Sequence, residues 1–594
     1  MKRLLVYLKD YRRESVLAPL FKLLEAFFEL LVPLVMANII DRGIADGNMG
    51  YIGRMGLCLL ALAAIGLVAS VTAQFFAAKA ATGFSTKLRQ ALFDHIQSLD
   101  FTNIDKVGTD TCITRMTSDI NQVQNGVNMV LRLFLRSPII VFGAMIMAFT
   151  IDVKSALVFV VAIPLLSVVV GVITAWSIPM YKKVQAGLDR VLGITRENLT
   201  GVRVIRAFHT EAEEEQRFCD ENSALAGLQM FVGKVSAVMN PVTYIIVNGA
   251  TIVLIYIGAI QVNIGNLSQG EVVAIVNYMS QILVELIKLA NLIITITKAL
   301  ACASRVASVF EIENAQNLPG VEACDQSEAE PVPENGGATP PYLVFDHVSL
   351  KYEGAGDETL HDIHFAVNQG DTVGIIGGTG SGKSSLVNLI PGFYPATGGS
   401  VRLNGRDIKT IPADELRARI GVVPQKAVLF KGTIRSNLLW GKPDATEDEL
   451  WQAVDLAQAR EVVEGKEGKL DAEVAQNGKN LSGGQRQRLT IARALVRKPE
   501  ILILDDSASA LDYATDAKLR SALRTLENQT TTFIVSQRAS SIRHADKIIV
   551  LDDGEMAGVG THDELLANCT VYQEIYYSQY PKDAVGADNT GREA

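Results

Sequence analysis

The fold class predicted by the sequence is multi-domain: an α-helical transmembrane domain of six spans followed by an α/β domain of the P-loop type. Three observations predict it. Long apolar segments recur six times in the first half of the chain. The pattern Gly377-x-x-x-x-Gly382-Lys383-Ser384 follows an apolar strand-like run and opens a helix-like one. Beyond about residue 342, strand-like and helix-like runs alternate. The composition agrees: 594 residues exceed one compact domain, and 48% hydrophobic residues with mean hydropathy +0.22 place part of the chain in lipid.

The apolar segments run from about Val16 to Ile40, Met55 to Ala78, Leu133 to Thr150, Ser155 to Trp176, Pro241 to Val262 and Glu271 to Thr295. Each approaches the ~20 residues a helix needs to cross ~30 Å of hydrocarbon. A large soluble helical core would instead show polar faces every few residues. The connections alternate between short ones (Asp41 to Arg54, Ile151 to Lys154, Asn263 to Gly270) and long charged ones (Lys79 to Arg132, Ser177 to Asn240). Both long connections are rich in Lys and Arg, as is the start MKRLLVYLKDYRR, which lacks a removable signal peptide and predicts a cytoplasmic N-terminus in a multi-pass plasma-membrane protein. Pro33, Pro164 and Pro241 mark kinks or helix starts.

In the sixth span Asn277, Gln281, Glu285, Lys288 and Thr295 fall on one helical stripe. Ionisable groups inside a span are costly unless they face water or a partner. The stripe reads either as the lining of a substrate pathway or as a local Glu285 to Lys288 ion pair with Lys288 reaching for the membrane surface. The expected boundaries are residues 1–312 for the membrane domain, 313–341 for an acidic linker rich in Pro and Gly, 342–580 for the α/β domain and 581–594 for a polar tail.

In Gly377, Gly378, Thr379, Gly380, Ser381, Gly382, Lys383, Ser384 and Ser385 the glycines let successive N–H groups turn inward toward phosphate oxygens, and the helix behind adds its positive end. Lys383 is placed to meet the β- and γ-phosphates of ATP and Ser384 to hold Mg²⁺. A ligand-free glycine turn has no need of the lysine and hydroxyl in that order. Ile501 to Asp505, ILILD, is a buried strand ending in a carboxylate that suits Mg²⁺. A net charge of −9 with scattered Lys and Arg argues against a nucleic-acid partner, and six dispersed cysteines suggest neither zinc nor disulfides.

With LSGGQRQR at Leu481 to Arg488, the chain resembles the ABC transporters, specifically the exporter type that fuses one membrane domain to one ATPase domain. The resemblance implies that Tyr352 stacks on adenine, that Gln425 touches Mg²⁺, and that Leu481, Ser482, Gly483, Gly484 and Gln485 form the signature capping ATP on the opposite subunit. It further implies that Ser509 to Asp512 is the D-loop and that ITRMTSD and GVRVIRAFHTEAEE form coupling helices. A second ABC half-transporter is then required.

Two departures stand out. The family usually places Glu after the Walker-B Asp505, where this chain has Asp506, and a histidine where it has Gln537. Gln476 also stands where a Glu is common. A catalytic group misplaced by about 1 Å can cost roughly a hundredfold. An intact signature beside an altered Walker-B neighbourhood predicts the degenerate-site half of a heterodimer, with Lys383, Asp506 and Gln537 in a weakly hydrolytic site. The alternatives are an active homodimeric exporter and a regulatory subunit or ATP-gated channel. The transported molecule, a small amphipathic compound, lipid or peptide, is not readable from the sequence.

Overall fold

A computed structural model describes residues 4–312, 341–507, 509–524 and 530–580. The expected linker, all but its last residue, and the expected tail lie outside the described residues. Chain contacts define two compact units: Met1–Gln97 with Thr109–Ile312, and Ser98–Gly108 with Glu313–Ala594.

The first unit contains six helices long and apolar enough to cross a membrane: Leu4–Ile44, Met49–Ser98, Thr109–Ile151, Val153–Thr200, Glu211–Ile264 and Gln269–Phe310. They overrun the apolar segments because charged helical stretches continue them. The 50 residues of Met49–Ser98 amount to about 75 Å at 1.5 Å per residue, more than twice the hydrocarbon thickness. Pro33 and Pro164 sit inside helices, whereas Pro241 is in the first turn of Met239–Ile264, where its missing N–H would have no intrahelical acceptor.

Helix starts are set by local polar chemistry. The Asp152 side chain accepts from the Ser155 N–H at 2.8 Å and opens the fourth span. Ser268 and Glu271 form a capping box at the sixth, and Asp41 of the first span accepts from the Gly270 N–H at 2.8 Å. A Cβ on Gly270 would meet the Ala37 carbonyl at 2.3 Å, so this approach requires glycine. Between the spans, Phe159, Leu166, Leu254, Met279 and Ile282 pack as one core. Tyr278 is fully buried there and donates to the Leu30 carbonyl at 2.6 Å.

In the second unit β1 (Leu343–Leu350), β2 (Leu360–Val367), β4 (Gly398–Leu403) and β5 (Arg406–Asp407) form an antiparallel sheet ordered β2-β1-β4-β5. A second sheet contains β3 (Thr372–Gly377), β6 (Ile420–Val423), β9 (Ile501–Asp505), β10 (Thr531–Val535), β11 (Lys547–Asp552) and β12 (Glu555–Gly560), ordered β12-β11-β3-β10-β9-β6. Between them in sequence, β7 (Gly432–Thr433) pairs with β8 (Glu473–Val474). All five residues of β9 and of β10 are buried, the continuous apolar pattern of parallel strands covered on both faces. The carboxyl ends of β3 and β9 deliver Gly377 and Asp505 to the same edge, where ligands bind in open α/β sheets.

The short helix Phe101–Val107, from the first long connection, belongs to this second unit. Asp100 caps it by accepting from the Asn103 N–H at 2.8 Å. Phe101 packs 4.5 Å from Phe393, Tyr394 donates to Asp105 at 2.6 Å, and Lys106 meets Glu353 at 2.6 Å. The segment ITRMTSD, Ile113 to Asp119, lies in the membrane unit. There Asp119, 3% exposed, takes Arg305 at 2.5 Å and Arg115 at 2.9 Å, and that pairing ties the segment to the sixth helix.

Candidate functional site

The P-loop is built by glycines at positions no side chain could share. Gly380 and Gly382 both have φ of 89°, and a Cβ on Gly377 would meet the Leu551 carbonyl at 2.2 Å. Lys383 opens the helix Lys383–Leu389, and its ammonium folds back onto the loop. It donates to the Gly377 carbonyl at 3.0 Å, to the Gly378 carbonyl, and to Ser381 Oγ at 3.3 Å. Burial pushes its pKa down, against the opposing pull of Asp506 and Asp505.

Ser384 Oγ donates to Asp505 Oδ1 at 3.0 Å, so hydroxyl and carboxylate already converge. Burial raises the Asp505 pKa, the Ser384 hydrogen bond opposes this, and Asp506 adds to it. A hydroxyl and a carboxylate side by side are hard oxygen donors, as Mg²⁺ requires, so the residues fit that ion. Gln425 Nε2 lies 3.4 Å from Asp506 Oδ2 rather than turning away. Asp506 holds φ at 47°, and its N–H donates to the Val535 carbonyl at 3.0 Å, which ties its backbone to the neighbouring strand. The Gln537 side chain is exposed. Tyr352 donates to Ser385 at 3.0 Å and stands edge-on to Tyr394 at 5.0 Å.

The signature forms the start of the helix Gly483–Leu495. Ser482 is its N-cap, and the Ser482 N–H donates to Gln485 Oε1 at 2.9 Å while the Gln485 N–H donates back to Ser482 Oγ at 3.3 Å. A Cβ on Gly483 would meet nothing within 4 Å, so this helix end is open to an anion. Leu481 is buried beneath it. Asp512 caps the next helix, accepting from the Thr515 N–H at 2.8 Å and from its hydroxyl at 2.9 Å. Gln476 lies in a short turn before the signature, beside Asn477 at φ 59°.

Two contributors escaped the sequence reading. Gln579, near the chain's far end, donates to the Gln537 carbonyl at 2.7 Å and accepts from the Ala539 N–H at 2.9 Å, which clamps the loop after β10. Nothing in local spacing signals it. The other is an ion network in the membrane unit, centred on the buried Arg136 and Glu285. Arg136 meets Glu285 at 2.6 Å, Glu29 at 2.7 Å and Glu25 at 3.9 Å. Ser137 donates to Glu285 at 2.8 Å, Lys288 meets Glu285 at 2.8 Å, and Lys22 meets Glu25 at 2.5 Å. Lys22, Glu25 and Glu29 at helical spacing inside the first span were the available signal. Along the polar stripe of the sixth span, Asn277 is therefore exposed and Gln281 is partly buried, its Oε1 without a partner among the described residues. Glu285 and Lys288 are paired, and Thr295 bonds back to the Asn291 carbonyl at 2.9 Å.

Six spanning helices, a P-loop, a Walker-B strand and a capped LSGGQ helix in one chain define an ABC half-transporter of the exporter type. The family description ABC transporter transmembrane region matches residues 15–286, and ABC transporter matches residues 360–509. The chain is 35% identical to the uncharacterized ABC transporter ATP-binding protein YfiB of Bacillus subtilis, over 98% of this chain and 99% of that one. It is 28% identical to the ATP-dependent lipid A-core flippase 1 of Colwellia psychrerythraea, over 98% and 96%. It also shares the fold of a bacterial Atm1-family ABC exporter solved with ATP bound, with TM-score 0.78, 24% identity and coverage of 96% and 99%. The chain belongs to the ABC transporter family.

Proposed function

We propose that this chain is the degenerate-site half of a heterodimeric ATP-driven exporter in the plasma membrane, with its N-terminus and ATPase domain in the cytoplasm. The observation that carries the proposal is the contrast between its two nucleotide-facing parts. Its signature helix is capped and open at Gly483. Its hydrolytic neighbourhood instead offers Asp506, one methylene shorter than the usual glutamate, and Gln537, an amide that cannot take imidazole's protonation states.

In this reading Lys383 and the P-loop amides hold the phosphates, and Tyr352 turns from Ser385 to stack on adenine. Ser384 and Asp505, with Gln425, hold Mg²⁺, which neutralises phosphate charge. Asp506 and Gln537 position the attacking water poorly, so the nucleotide is held longer than it is cut. Ser482, Gly483, Gly484 and Gln485 complete the partner's site, where hydrolysis resets the transporter. ATP's greater affinity for the closed pair of ATPase domains drives the change of access. The exposed side chains of Val204 and Phe208 on the short helix Val202–Phe208 support its role as a second coupling segment.

The cargo is a small amphipathic molecule, lipid or peptide, and the relative named as a lipid flippase supports the lipid class. Asn277 and Gln281 form the part of the sixth span we place along the pathway. The test is ATPase activity of the chain purified with its partner half-transporter. Lys383→Ala should reduce turnover, whereas alanine at the partner's P-loop lysine should abolish it. Full turnover by this chain assembled only with itself would establish a homodimer instead, and ATP binding with no substrate-stimulated hydrolysis would establish a regulatory subunit or gated channel.

A further inference from the structure

On the antiparallel sheet, β1 and β2 are paired Phe345 to Phe365 and Val348 to Ile363, and the register slips on both sides of Val348. Asp346 and His347 thus stand opposite the single residue His364, and Ser349 stands opposite both His361 and Asp362. These are two bulges, one on each strand, and bulges re-aim side chains. The residue that turns at each is not glycine: His347 has φ of 48° and Asp362 has φ of 47°. The result gathers three donors on one face. His347 Nδ1 lies 2.5 Å from Asp362 Oδ1, and the His347 and His364 rings stack at 5.4 Å. One donor atom from each of His347, Asp362 and His364 lies within 4.8 Å of the others, and all three residues are exposed.

We propose that His347, Asp362 and His364 form a binding site for a divalent transition ion of the Zn²⁺, Co²⁺ or Ni²⁺ class. Two imidazoles with one carboxylate suit those ions, whereas Mg²⁺ and Ca²⁺ prefer all-oxygen shells. Donors around a tetrahedral ion with bonds of about 2.0–2.1 Å sit roughly 3.3 Å apart. The His347 to Asp362 contact therefore opens by less than an ångström while donors up to 4.8 Å apart close by about 1.5 Å, and exposed side chains reach both by rotation. Three protein donors leave at least one position to water, so the site is open. Asp346 beside it is engaged by Arg402 at 3.6 Å and is no fourth ligand. The site shares no residue with the Ser384 and Asp505 pair, so it is separate from the Mg²⁺ that accompanies ATP.

The test is titration of the full-length protein, in lipid nanodiscs after EDTA treatment and removal of any histidine tag, with Co²⁺ in the presence of excess Mg²⁺. The expected result is one Co²⁺ per chain, with visible absorption free of thiolate charge-transfer bands and displacement by Zn²⁺. His347→Ala with His364→Ala should weaken binding by at least about tenfold. Nucleotide binding and melting temperature without metal should stay at the parent's values, since all three side chains are at the surface. Asp362→Asn, which keeps the shape but loses the charge, should weaken binding to an intermediate degree. Parent-like Co²⁺ affinity in the double variant, thiolate bands, or no binding by the parent would each overturn the proposal.

Discussion

Lys383 and Arg136 are cations of nearly equal exposure, 9% and 7%, and their surroundings differ in kind. The P-loop lysine is held by backbone carbonyls and a serine hydroxyl, with the carboxylates of Asp505 and Asp506 felt at a distance. The membrane arginine is surrounded by Glu285, Glu29 and Glu25, within a network where three cations and three carboxylates offset one another. The lysine is solvated by local dipoles only, which are weaker partners for its charge than an anion would be. The membrane network matches its charges among themselves, with Arg136 and Glu285 buried at its centre and Lys288 and Glu29 partly exposed at its edge. A buried charge thus signals ligand binding only where its present partners are poorer than the ligand would be.

The comparison is broken most directly at Arg136. Arg136→Met leaves three carboxylates without their shared cation and should destabilise the protein by about 3–5 kcal/mol, read as chemical or thermal unfolding in nanodiscs. Arg136→Met with Glu285→Met should recover part of the loss, and an unchanged melting curve for the single variant would mean the network is not closed. Ser137→Ala removes one hydrogen bond to the Glu285 carboxylate and should cost about 1.5–3 kcal/mol in the same assay. Equal stability there would reassign the hydroxyl's bond to water.

Lys383→Ala should behave oppositely. Melting without nucleotide should move by no more than about 1 kcal/mol, while the stabilisation produced by ATP disappears. A large loss in the nucleotide-free protein would make the lysine structural. The smallest expected change is at Asp505, whose folded-state pKa is raised. A raised carboxyl pKa means stability is fully present below the unfolded value near ~3.9 and is lost as pH rises through the folded value. Asp505→Asn should therefore melt slightly higher than the parent at neutral pH and alike at pH 4, before any Mg²⁺ or ATP is added. A lower melting temperature at neutral pH would show that the Ser384 hydrogen bond outweighs burial.

The six spans were legible because crossing hydrocarbon demands an apolar run of fixed length, which no tertiary contact can disguise. The glycine loop was legible because left-handed conformations at Gly380 and Gly382 leave their mark directly on composition. The place of the helix Phe101–Val107 was not. ITRMTSD resembled the segment expected to couple, yet Asp119 is held by Arg305 and the helix starting at Phe101 packs on Phe393 instead. Glu285 shows the same limit: its spacing to Lys288 suggested a pair, but Arg136 lies 149 residues away in sequence.

By itself the sequence determined the number of spans, the α/β architecture of the second unit, and the local turns and caps that its glycines and short polar side chains form. Only the tertiary structure decided which charges are matched, that Phe101–Val107 packs within the second unit, and that Gln579 grips the loop carrying Gln537. The division follows from range. Helix periodicity, capping and glycine turns act over a few residues and are written locally, whereas charge neutralisation and packing join positions that only folding brings together.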